Sequence, residues 1–130
     1  MEKFMVVGNF ACQSYIEDDL YSSQWTLGIF DTVEECFKVA KADLKQVARD
    51  HYECFLDTDE YESSAEFELA IENNVSGYIE GYTCTSLDSA SYEISKYGHS
   101  EILSNDVAVD EQRQITKYTV YKLDLSVHVK

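Results

Sequence analysis

Residues 31–55, DTVEECFKVAKADLKQVARDHYECF, place apolar side chains at Val33, Phe37, Ala40, Leu44, Val47, Ala48 and Phe55, every third or fourth position apart from the adjacent pair Val47–Ala48 and one longer step after it. That period matches the helical turn and makes one continuous apolar face, which Cys36 and Tyr52 extend. Asp31 or Thr32, followed three residues later by Glu34 or Glu35, is the pattern of a capping box and sets the start of the helix. A helix with one apolar stripe must bury it against another element, and the flanking sequence says which.

Before the helix, residues 4–15 (FMVVGNFACQSY) and 25–30 (WTLGIF) are apolar, β-branched and aromatic, separated by the polar IEDDLYSSQ, and read as two strands of a hairpin. After it, a shorter helix is expected from Ser63 or Ser64 through AEFELAIENN, with Phe67, Ala70 and Ile71 inward and Asn73 or Asn74 as its left-handed end. GYIEGYTCTS and SASYEIS, rich in Tyr, Ile, Thr and Ser, read as short strands with Gly77, Gly81 and Gly98 near their ends. The chain closes on an alternating strand with Tyr121, Leu123, Leu125, Val127 and Val129 on the buried face and Lys122, Asp124, Ser126, His128 and Lys130 on the other. Strands this close in sequence join as hairpins, so the expected fold is α+β: an antiparallel sheet of about five strands, covered on one side by one long and one short helix.

With 130 residues, 45% of them apolar, the chain fits one domain that buries about two-thirds of its unfolded surface. No run reaches the roughly 20 apolar residues of a membrane span, and the apolar stretch in MEKFMVVGNF is short for a signal peptide, so the expected location is cytoplasmic, away from membranes. Cys12, Cys36, Cys54 and Cys84 lack paired metal-ligand spacing and read as small buried hydrophobes without disulfides. Proline is absent, which leaves the turns to Gly, Asn, Asp and Ser.

Charge is distributed unevenly. Residues 50–95 hold twelve Asp or Glu and no Lys or Arg, so this third of the chain contributes most of the net charge of −15. Its densest part is DTDEYESSAEFE, residues 57–68. Read as a calcium loop from Asp57, it supplies Asp57, Asp59 and Glu68 at the first, third and twelfth places. Tyr61 and Glu62 then fall where a ligand and the turn glycine are required, so the calcium reading fails on geometry. Ser63 as N-cap with Glu66 as its partner explains two or three of these residues, and a solvated face would absorb the others. A docking face for a basic partner, or a mimic of a nucleic-acid backbone, accounts for the whole imbalance, while direct binding to nucleic acid is disfavoured.

Lys38, Lys41, Lys45 and Arg49 form a basic stripe beside the apolar face of the first helix. Their stems can cover apolar surface, they can hold a phosphate or nucleotide, or they can face the acidic segment within the same molecule. His51 and Cys54 stand three apart on that helix, as a helix-end histidine and a core cysteine; His99 and His128 lie far from them. No phosphate-binding glycine loop, nucleophile elbow or zinc-protease motif occurs, so no reaction, metal or cofactor is called for. Of the ten tyrosines, Tyr61, Tyr78, Tyr82, Tyr92 and Tyr97 are among those in or beside the acidic third, and tyrosine is enriched at protein interfaces.

In its acidic run YECFLDTDEYESSAEFE, small α+β frame and terminal strand YTVYKLDL, the chain resembles small accessory proteins of phages and mobile elements, among them anti-CRISPR and other anti-defence inhibitors. The resemblance implies an acidic, non-enzymatic inhibitor acting in the host cytoplasm. The expected contacts with a basic, nucleic-acid-binding partner are Asp57, Asp59, Glu60, Glu62, Glu66, Glu68 and Glu72, with Tyr61 as aromatic anchor. Two other readings stand beside it: a nucleotide-sequestering protein or small enzyme using the basic stripe, and an assembly subunit whose exposed strand edge pairs with a second copy.

Overall fold

The computed structural model of the protein describes residues 2–16 and 20–124. In chain order the elements are β1 (Glu2–Ser14), β2 (Leu20–Phe30), α1 (Val33–Phe55), a single tight helical turn (Thr58–Glu60), α2 (Ser64–Ile79), β3 (Thr83–Cys84), α3 (Leu87–Tyr97), β4 (His99–Val109) and β5 (Gln112–Asp124). The strands form one antiparallel sheet in the order β2-β1-β5-β4-β3, so the architecture is the expected α+β, with three helices instead of two.

Alternation along the strands puts one set of side chains under the helices. On β5 the buried residues are Gln114, Thr116, Tyr118 and Val120, while Tyr121 is exposed; the buried face is therefore the even-numbered one, opposite to the face expected from Tyr121 and Leu123. The remaining residues of that expected alternation, Leu125 to Lys130, lie outside the described residues. Against this face α1 lays Cys36, Ala40, Leu44 and Ala48, spaced by one turn, and the small residues let the helix sit close. Thr32 is the N-cap of α1: its Oγ1 accepts from the Glu35 amide at 3.2 Å. Val47 and Tyr52 are half-buried and Phe55 is exposed, because the stripe drifts off the sheet toward the end of the helix.

α2 starts as expected at N-cap Ser63 but runs past Asn73 and Asn74 to Ile79. Asn74 does not end the helix, because its amide donates to the Ala70 carbonyl at 2.8 Å and stays helical. The extra turn carries Tyr78 into the core. The segment expected as the strand SASYEIS is helix α3. Ser86 caps it, Ala90 and Ile94 are its buried residues, and Gly98 ends it with φ 85, in the left-handed region that glycine occupies without strain. Of GYIEGYTCTS only Thr83–Cys84 pairs as a strand, and the fourth full strand is His99–Val109. β4 and β5 join through Asp110 and Glu111, both at positive φ (48 and 62), the conformation of a two-residue hairpin turn.

Across the middle of the sheet, Trp25, Gly8, Tyr118 and Leu103 stand in one row on β2, β1, β5 and β4. A Cβ on Gly8 would lie 2.6 Å from Trp25 Cε2, so the missing side chain is what lets the indole lie across β1 toward Tyr118, whose ring meets it edge-on at 6.3 Å and 87°. Gly8→Ala is expected to lose about 1–3 kcal/mol through forced displacement of Trp25, measured by urea unfolding with a parallel loss of the native tryptophan signal.

Candidate functional site

The acidic segment wraps the end of α1, the following turn and the outer sides of α2 and α3. Eleven of the twelve carboxylate residues between 50 and 95 are exposed, and Glu93 is half-buried. Several serve the backbone. Asp57 caps the tight helical turn by accepting from the Asp59 amide at 2.9 Å, and Ser63 accepts from the Glu66 amide at 3.2 Å. Glu66 in turn accepts from the Glu62 amide at 3.1 Å. Glu68 is neutralised by Arg49, which donates to both its oxygens at 2.8 and 2.6 Å and also pairs with Glu53 at 2.7 Å. Among the described residues Asp59, Glu60, Glu62 and Glu72 make no ion pair. Tyr61 is half-buried, packed edge-on against Phe67 at 5.6 Å.

Of the basic stripe, only Arg49 reaches the acidic segment, and its guanidinium is held further up from its ordinary range by the Glu68 hydrogen bonds. Lys38 is exposed. Lys41 and Lys45 border a cleft of about 120 Å³ with Leu44, Ile79 and Tyr82, well below the roughly 300–1,000 Å³ of small-molecule sites.

A larger groove of about 640 Å³ opens where the end of the β1–β2 hairpin meets the second half of α1. Phe10, Tyr21 and Trp25 form the strand wall; Asp43, Asp50 and Phe55 stand on the helix wall. Asp43 ties the two walls together. Its Oδ2 accepts from Trp25 Nε1 at 3.0 Å and from the Tyr118 hydroxyl at 2.7 Å. Burial first, then the Asp43 hydrogen bond, holds the Tyr118 phenol far above its usual range.

A hydrogen-bonded chain runs behind the groove toward the β4–β5 turn, with His51 and Gln114 reaching the groove itself. The Tyr78 hydroxyl donates to Gln114 Oε1 at 2.5 Å, Gln114 Nε2 meets His51 Nδ1 at 3.2 Å, and His51 Nε2 meets Asp110 Oδ2 at 2.9 Å. An amide nitrogen can only donate, so Nδ1 accepts and Nε2 carries the proton toward the carboxylate. Both imidazole nitrogens are thus engaged and the ring is stacked on Phe55 at 4.6 Å, so neither nitrogen is open to a ligand in the groove. Cys54 is exposed beside it instead of lying in the core, as is Cys84 on the two-residue β3; Cys36 is the one fully buried cysteine, its thiol pushed up to about 11 by burial. His99 is exposed against Tyr121, and His128 lies outside the described residues. No group of three metal-ligating side chains occurs among the described residues.

The groove is the feature that reading the sequence missed. One signal was present: Asp43 stands three residues after Ala40 and four before Val47, on the edge of the apolar face. Trp25, Gln114 and Asp110 carry no such mark, since only the sheet order brings them to α1. The chain matches no protein-family model, no curated protein and no solved structure. Among the described residues no helix is long and apolar enough to cross a membrane.

Burial lifts the Tyr78 phenol from its ordinary value of 10 to about 12. Its contribution to stability is full below pH 10 and is lost as the pH rises toward 12, because the unfolded chain ionises first. Tyr78→Phe should therefore fall less steeply in stability over that range by urea unfolding, while near neutral pH it starts lower by about 1–2 kcal/mol for the lost Gln114 bond.

Proposed function

We propose that the protein is a non-enzymatic acidic inhibitor that docks on the basic, nucleic-acid-binding surface of a partner protein and blocks it. The observation that carries this reading is a contiguous stretch of chain, Asp50 to Glu93, whose carboxylates are nearly all exposed and of which only Glu53 and Glu68 have a cation, the shared Arg49, within ion-pair distance among the described residues. Carboxylates left without counter-charges repel one another, and a basic surface relieves that repulsion on contact. Asp59, Glu60, Glu62 and Glu72 are free to meet it, with Asp57, Glu66 and Glu68 adding their field from fixed positions. Tyr82, in the same sequence segment, adds exposed contact area. The anti-defence resemblance agrees with such a role and extends it to a phage or mobile-element setting.

The variant Asp57→Asn, Asp59→Asn, Glu60→Gln, Glu62→Gln should lose the partner that wild type retains in a pull-down from host lysate. Salt should release that partner from wild type, and added nucleic acid should compete for it. Capture of the same proteins by both forms would make the acidic segment a solvated face.

A second reading, assembly through a strand edge, is favoured by β2. This edge strand, LYSSQWTLGIF, contains no charged residue over 11 residues, so of the devices that blunt natural edges it carries only the bulge opposite Val6 and Val7. If β2 pairs with a second copy, sedimentation velocity over about a hundredfold concentration range should show a dimer. Gln24→Lys should weaken that dimer, and a single monomeric species throughout would end this reading.

A further inference from the structure

We propose that the groove between β2 and α1 is a binding site for a small organic cation carried on a flat, apolar body, such as an amidinium or guanidinium attached to an aromatic ring. This goes beyond the acidic face and does not depend on it. The volume of about 640 Å³ lies within the range of small-molecule sites. The walls supply flat apolar surface: Phe10 and Tyr21 meet edge to face at 6.3 Å, Trp25 is half-buried, and Tyr21 and Phe55 remain 61% and 54% exposed, apolar area that a ligand would cover.

Charge then selects the ligand. Asp43 and Asp50 lie two turns apart on α1 and both line the groove, and no Lys or Arg does. The histidine of the lining, His51, has both ring nitrogens committed, to Asp110 and to Gln114. An anion would meet two carboxylates with nothing to balance them. A neutral ring would strip water from Asp43, whose two protein hydrogen bonds both end on Oδ2, without replacing it at Oδ1. A planar cation satisfies the carboxylates and is attracted by the aromatic faces as well. A bare metal ion lacks a ligand set, since no cluster of three suitable side chains exists among the described residues.

Trp25 is the protein's single tryptophan and lines the groove, so its emission and its indole N–H resonance report binding directly. Three probes of one shape separate charge from apolar contact: benzamidine, benzamide and benzoate. Benzamidine should shift both Trp25 signals saturably, with benzamide at least about tenfold weaker and benzoate weaker still. Asp50→Asn, at an exposed residue that accepts from the Gln46 amide at 2.7 Å, should weaken benzamidine about threefold or more with an unchanged thermal midpoint. Asp43→Asn keeps an acceptor for Trp25 and Tyr118 while removing the charge, and should weaken it about tenfold. Tyr21→Ala should weaken all three probes alike. Equal response to benzamidine and benzamide, no saturable response to benzamidine up to about 10 mM, or unchanged benzamidine binding in both carboxylate variants would each overturn the proposal.

Discussion

The Asp43 carboxylate is the tie on which the arrangement of sheet and helix turns. It receives the Trp25 indole from the edge strand β2 and the Tyr118 hydroxyl from the central strand β5, both on one oxygen. The two donors converge because Gly8, between them in the row, has no side chain to keep the indole upright. Two buried or half-buried polar groups from distant strands are thereby satisfied by one helix, and the rotation of α1 over the sheet is fixed more narrowly than its small apolar stripe would fix it alone. The groove lies beside this tie: Asp43 and Trp25 both line it, and Tyr21 and Phe55 in its walls stay exposed.

Legibility of the fold followed the strength of local pattern. α1 could be read because its cap, its period and its acidic first turn agree over 23 residues. The hairpin β1–β2 could be read from its two apolar runs. α3 was misread because Ser, Tyr and Ile weigh toward strand in composition, although Leu87, Ala90 and Ile94 keep helical spacing and Gly98 follows as the stop. Period should have outweighed composition there. β4 is hard to read because its buried set, Ser100, Ile102, Leu103 and Asn105, is half polar and interrupted by a bulge between Glu101 and Leu103, which breaks the alternation.

The acidic surface was legible as composition and only partly as structure. The sequence leaves open whether the basic stripe faces it; Arg49 pairs with it, joining α1 to α2 through Glu68, while Lys41 and Lys45 only border the small cleft with Ile79 and Tyr82 and Lys38 is exposed. The groove was not legible at all, since its walls are drawn from residues near 10, 25, 50 and 114 and assembled by the strand order.

That strand order also bears on how the chain reaches its native state. β1 pairs along its whole length with β5, Glu2 opposite Asp124 and Ser14 opposite Gln112, so the centre of the sheet joins the two ends of the described chain. Contacts so distant in sequence close a long loop before they return any stabilisation, which slows folding. Until β5 is in place, the β1–β2 hairpin has both edges open, one of them without charge, and is a template for unwanted pairing. During that interval the net charge of −15 acts between molecules, keeping half-formed chains apart by repulsion.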